Sequence, residues 1–179
     1  EMKTPKTSVF ELYSGTLNRD QKTQIALSAL KQILDIVYVR TIREEAGGTY
    51  GVRAQAGISR IPEGQTTLQM TFDTDPERAS SIAPIVDREV KNIAEKGPED
   101  ADFQKVKEYM VKKFQEDEKQ NGYWVGTLSA YHFYGEDNYS NYLSIVNALT
   151  KDDIKNVTKQ LISQGNFIAV SYTHLRAHE

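Results

Sequence analysis

Hydrophobic and polar positions change period several times along the chain, and each change marks an element. Thr7 to Tyr13 carries Val9, Phe10, Leu12 and Tyr13 and then meets Ser14-Gly15, which predicts a strand closed by a turn. From Asn18 or Asp20, either of which could cap, Ile25, Ala26, Ala29, Leu30, Ile33, Leu34, Val37 and Ile42 recur at helical spacing until Gly47-Gly48. That spacing predicts a long, mostly buried helix. The period then drops to two: Tyr50, Val52, Ala54, Ala56 and Ile58 alternate with Gly51, Arg53, Gln55 and Gly57. After a turn at Pro62-Glu63-Gly64, Leu68, Met70 and Phe72 alternate in the same way, so residues 49 to 74 predict an antiparallel strand pair.

Helical spacing returns with Ala79, Ile82, Ala83, Val86, Val90 and Ile93, which run from Pro76 to the Gly97-Pro98 stop. Phe103, Val106, Met110, Val111 and Phe114 trace the next helix, whose acidic start at Glu99, Asp100 and Asp102 suits the positive helix end. Trp124, Leu128 and Tyr131 predict a shorter helix after Asn121-Gly122, and Tyr142, Ile145, Val146 and Leu149 another. Thr150 with Asp153 resembles a capping box opening the helix of Ile154, Val157, Leu161 and Ile162. Phe167 to Tyr172 predicts a last strand. These elements predict an α+β fold, a two-layer sandwich with a largely antiparallel sheet and helices on one face. A single domain over residues 7–172 is expected, with residues 173–179 a polar tail without visible periodicity and not necessarily native.

Composition narrows the function classes. The chain's 179 residues suit one domain with a sizeable core. With 22 Lys plus Arg against 25 Asp plus Glu, the net charge of -3 argues against a general nucleic-acid binder. No apolar run approaches the ~18 residues of a membrane span. The absence of cysteine removes disulfides, thiolate metal sites and a Cys nucleophile, and leaves the compartment open. Glu1 is not an initiator residue, so a mature product or a piece of something longer is expected.

Candidate chemistry is sparse. Only His132, His174 and His178 offer imidazole, and a zinc site needs three or four converging ligands. His174 and His178 have the spacing of the two histidines in His-x-x-Glu-His, but Ala177 stands where the Glu would activate water. A solvated tail is the expectation for both, and a packed helix position for His132. No nucleophile elbow, phosphate loop or dinucleotide fingerprint is present. The pairs Asp73 with Asp75 and Glu99 with Asp100 fall at a strand end and a helix start, where turn formation and dipole compensation account for them.

One segment stands apart: Arg43-Glu44-Glu45-Ala46-Gly47-Gly48-Thr49-Tyr50-Gly51. The double glycine drops helix directly into strand, so the Arg43 guanidinium and the Tyr50 phenol could converge on one end of the domain and bind a peptide carbonyl or an oxyanion. Spacing alone is better served by a helix C-cap before a hairpin, with Arg43 favourable at the negative helix end and Tyr50 a core aromatic.

The string Thr41-Ile-Arg-Glu-Glu-Ala-Gly-Gly-Thr-Tyr-Gly-Val52 resembles the Arg-Glu-Glu-x-Gly-Gly-x-Tyr-x-Val pattern in the C-terminal half of the insulinase or pitrilysin family of zinc metallopeptidases. The preceding long helix, Asn121-Gly-Tyr-Trp124 and Leu149-Thr150-Lys-Asp-Asp153 occur in the family's order, so the resemblance covers roughly Thr7 to Ser171. It implies repeated α+β domains folded as two halves around a chamber, with zinc held in the N-terminal half. Arg43 and Tyr50 would then be the catalytic and substrate-binding pair that reaches across to an extended peptide and stabilises the tetrahedral intermediate. This chain holds no His-x-x-Glu-His, so metal ligands here are expected to be none and the chain alone inactive. The expected partners are the N-terminal half, on the same protein or a partner subunit, and a peptide substrate. A non-catalytic binding or structural subunit of a two-subunit peptidase or processing complex is the alternative. A periplasmic or membrane-associated bacterial setting fits the resemblance, and the residues do not test it.

Overall fold

A computed structural model describes residues 5–45 and 51–175. Their elements follow the order β1 (Pro5–Thr16), α1 (Gln21–Glu45), β2 (Arg53–Ile58), β3 (Gln65–Thr74), α2 (Pro76–Lys96), α3 (Asp100–Asp117), α4 (Asn121–Tyr134), α5 (Tyr142–Ala148), α6 (Lys151–Ile162) and β4 (Asn166–Leu175). The four strands form one antiparallel sheet in the order β2-β3-β1-β4. This is the α+β sandwich expected from the periodicity.

Register explains the layering. Val9 pairs with Phe72, Glu11 with Met70 and Tyr13 with Leu68, and all six are buried on one face because cross-strand partners share a side of the pleat. Ala54 extends that face into β2 opposite Met70. Against it pack Leu30, Ile33 and Leu34 of α1, Ile82, Val86 and Val90 of α2, and Ile154 and Leu161 of α6 in one contiguous core. α1 is also covered by Phe103, Val106 and Met110 of α3, which is why apolar residues occupy more than one stripe of that helix.

Local chemistry sets the element ends. Asp20 caps α1, its Oδ1 accepting the Thr23 N–H at 2.7 Å. Thr150 and Asp153 form the reciprocal capping box of α6. Gly64 closes the β2/β3 hairpin at φ 76, and a Cβ there would lie 2.5 Å from the Leu17 carbonyl oxygen, which only glycine avoids.

Three differences from the sequence expectation have physical causes. β1 runs from Pro5 to Thr16 rather than Thr7 to Tyr13, because β3 and β4 both pair along it and supply backbone partners beyond its apolar centre. β4 continues to Leu175, three residues into the segment expected as tail, paired with β1 as far as Pro5 and joined by a 2.7 Å hydroxyl contact between Thr7 and Thr173. His132 is exposed rather than packed, since α4 buries none of its residues.

Candidate functional site

The corner where α1 ends and β2 begins is the part of the fold that gathers polar groups beside an open sheet face. α1 carries Lys31 and Asp35 on consecutive turns, paired at 2.9 Å. Asp35 also accepts the Ala54 backbone N–H through Oδ1 at 2.9 Å. Ala54 is on the edge strand, so this carboxylate satisfies a donor that the sheet leaves unpaired and ties the middle of α1 to the start of β2. A cleft of about 1080 Å³ opens alongside, lined by Lys31, Asp35, Arg53, Gln55, Asp73 and Phe10 among other residues. Ser8, which also lines it, donates to Asp73 Oδ1 at 2.6 Å.

Arg43 lies in the last turn of α1, at the negative end of the helix, and its side chain lies outside the described residues. Tyr50 and the Gly47-Gly48 pair also lie outside them. Arg40, one turn earlier, is engaged elsewhere: it pairs with Asp102 at 3.0 Å and Glu99 at 3.5 Å, fastening α1 to the start of α3. Asp100 pairs with Lys151 at 2.7 Å. The acidic start of α3 is thus committed to ion pairs with other elements, and Asp75 is the N-cap residue of α2.

The two described histidines do not converge. His132 is on α4 against the Tyr131 ring, and His174 stacks on Tyr172 in β4 with ring centroids 5.5 Å apart. His178 lies outside the described residues. Among the described residues no group of three or more His, Cys, Asp or Glu could hold a metal ion, so those residues do not fit a zinc site. No helix among them is long and apolar enough to cross a membrane.

Two charged positions were invisible in the sequence. Glu11, in the middle of β1, is only 1% exposed, with Oε2 lacking a hydrogen-bond partner. Burial pushes its carboxyl up to about 7, nearby Asp87 adds to the rise, and Lys91 opposes it. Tyr13 donates to Asp87 beside it, and Asp87 pairs with Lys91 at 2.7 Å. Glu136 is the second: Arg60 and Arg19 both bond it, holding its carboxyl down at about 2. The Arg60 guanidinium lies 3.5 Å from the centre of the Tyr134 ring. A lone Glu in a strand pattern and an acidic residue after a helix stop carry no sequence mark of either environment.

Residues 1–110 match the family described as the peptidase M16 inactive domain. The chain belongs to this family. A search of curated proteins returns no match. Solved structures share the fold at low identity. The periplasmic protease PqqL from Escherichia coli matches with TM-score 0.77 and 16% identity over 93% of this chain and 19% of that one. A peptidase M16 inactive domain from Pseudomonas fluorescens matches with TM-score 0.76 and 21% identity over 93% of this chain and 40% of that one. The inactive peptidase domain of a putative zinc protease from Bordetella parapertussis matches with TM-score 0.72 and 11% identity over 100% of this chain and 95% of that one. This M16 domain therefore spans about a fifth of the length of PqqL and two-fifths of the Pseudomonas chain.

Proposed function

We propose that this M16 inactive domain serves a zinc metallopeptidase whose metal is held in another domain, and that Arg43 and Tyr50 reach from the α1/β2 corner to the peptide being cleaved. The carrying observation is the bond from the Ala54 N–H to Asp35. From Asp35 to Arg43 the helix advances about 12 Å, at 1.5 Å per residue. Tyr50 precedes Ala54 by four residues, so the chain holds it within about 14 Å of that residue whatever its path. Chain length from this tie is short enough for the Arg43 guanidinium and the Tyr50 phenol to act beside the polar cleft, which supports the reading. A peptide carbonyl turning tetrahedral gathers negative charge on oxygen, and a fixed cation with a phenol donor stabilises that charge more in the transition state than in the ground state. The cleft's mixed charges from Lys31, Asp35, Arg53 and Asp73 suit an extended peptide better than a polyanion.

The test is kinetic, on the complete enzyme with zinc at full occupancy. Tyr50→Phe lowers kcat by about 10²-fold with little change in KM, as for other single oxyanion donors. Arg43→Ala affects both constants, because the guanidinium also holds the ground-state carbonyl. Unchanged kcat in both variants would leave the non-catalytic subunit as the better reading.

A further inference from the structure

We propose that Glu11, Asp87 and Lys91 form a proton-controlled latch between β1 and α2: it is closed while Glu11 holds its proton and loosens when Glu11 ionises, so that the second half of α2 lifts before the rest of the domain unfolds. The three groups meet at one contact. Glu11 is buried on the core face of β1, and its Oε2 lacks a hydrogen-bond partner. Asp87 is engaged through both oxygens, Oδ1 accepting the Tyr13 hydroxyl and Oδ2 the Lys91 ammonium at 2.7 Å. With Glu11 protonated, one carboxylate faces one ammonium. With Glu11 ionised, two carboxylates share that ammonium, and the added charge is shut inside the core.

The surrounding elements bring no second cation to this contact. Among the described residues, Lys91 is the cation that acts on Glu11. Met70 of β3 and Ala169 of β4 flank Glu11 in the sheet. The residues that α6 buries, Ile154, Val157, Thr158 and Leu161, carry no charge. From α1 comes Tyr38, whose hydroxyl donates to the Val86 carbonyl at 3.1 Å. Glu89, the next acidic group along α2, is bonded to Arg88 at 2.8 Å.

α2 is divided at a point that lets its second half move alone. Pro84 lies inside the helix and has no N–H to bond the carbonyl one turn earlier, which weakens the ladder there. Gly97, at φ 77, ends the helix. Asp87 and Lys91 lie between these two breaks, and the hydroxyls of Tyr13 and Tyr38 fasten the first turn after Pro84 at Asp87 and Val86. The direction of the response follows from proton binding. The folded Glu11 carboxyl keeps its proton up to about 7, against 4.5 when exposed, so the closed form binds more protons and opening is favoured as pH rises through that window. Between pH 4.5 and 8 the open population grows by about 10²-fold.

The latch is independent of Arg43 and Tyr50, and its test is hydrogen exchange of the amides of residues 86–96 from pH 4.5 to 8, corrected for the intrinsic pH dependence of exchange. Urea unfolding at each pH gives the frequency of global unfolding for comparison. In the wild type these amides open more often than the whole domain unfolds, and their opening rises by about 10²-fold across the range. Glu11→Gln removes the rise. Lys91→Met moves it to higher pH, because the cation that favours the ionised carboxyl is gone, and Asp87→Asn moves it to lower pH, because a neighbouring negative charge is gone. A merely structural role for either residue would change exchange by the same factor at every pH. Lys91 is a half-exposed residue at the rim, so Lys91→Met keeps the test open even where Asp87→Asn fails to fold. An equal rise in Glu11→Gln, a midpoint that Lys91→Met leaves in place, or opening of residues 86–96 only as rare as global unfolding would each overturn the latch.

Discussion

Replacing Glu11 by Gln should make the domain more stable at pH 8 and leave it nearly unchanged at pH 4.5. The wild-type carboxyl lies on the core face of β1, between Val9 and Tyr13 and opposite Met70 and Ala169, with Asp87 and Lys91 of α2 and Tyr38 of α1 as its charged and titratable neighbours. Its Oε2 has no hydrogen-bond donor, so ionisation leaves a buried charge that Lys91 offsets only in part. The folded carboxyl therefore holds its proton to about 7, against 4.5 in an exposed chain. Between these values the folded state binds more protons than the unfolded one, and stability falls as pH rises. At 1.36 kcal/mol per unit of pKa, the loss is on the order of 3 kcal/mol and is complete once pH exceeds the folded value. Glutamine keeps the shape and cannot ionise. Urea midpoints for both proteins at half-unit steps from pH 4.5 to 8.5 provide the assay, and the difference between the two curves cancels the titration of every other group. It should rise through the window from 4.5 to 7 and then level off. Parallel curves across the whole range would show that Glu11 is solvated or paired when folded, and the reasoning would fail.

Glu136→Gln should lower the thermal midpoint by a few degrees above pH 5, because Arg60 and Arg19 lose their shared carboxylate. Since the folded carboxyl is depressed to about 2, the wild type's advantage is full above 4.5 and disappears as pH falls towards 2; a constant difference down to pH 2 contradicts the clamp. Gly64→Ala should destabilise by about 1–3 kcal/mol in chemical denaturation, since φ 76 and the Leu17 carbonyl leave no place for a methyl group, and a neutral result would contradict the hairpin geometry. Thr150→Ala should cost about 1 kcal/mol through the α6 capping box, with Thr150→Ser close to wild type. For Tyr50→Phe, stability measured beside kcat should stay near wild type, which separates a catalytic phenol from a core contact.

Most of the fold was legible in the chain because its elements are amphipathic and the period of a buried stripe is set locally. The alternation of Leu68, Met70 and Phe72 and the helical recurrence of Ile82, Val86 and Val90 identify the buried faces found in the structure. Thr150 and Asp153 identify a helix start, since a capping box needs only residues three apart. The Arg43 to Tyr50 segment was singled out the same way, by residue types close in sequence.

Contacts between distant positions were decided only by tertiary structure. Nothing near Glu11 in sequence signals that α2 and α1 close over it, and nothing near Asp35 signals that it satisfies an N–H 19 residues later. Glu136 meets Arg19 and Arg60 across 117 and 76 residues. The exposure of α4 is the opposite case: its uncharged composition suggests enclosure, and only the packed fold shows that the other described residues leave much of it uncovered. Periodicity records which side of an element avoids water, whereas desolvation and charge pairing depend on what the rest of the chain brings to that side.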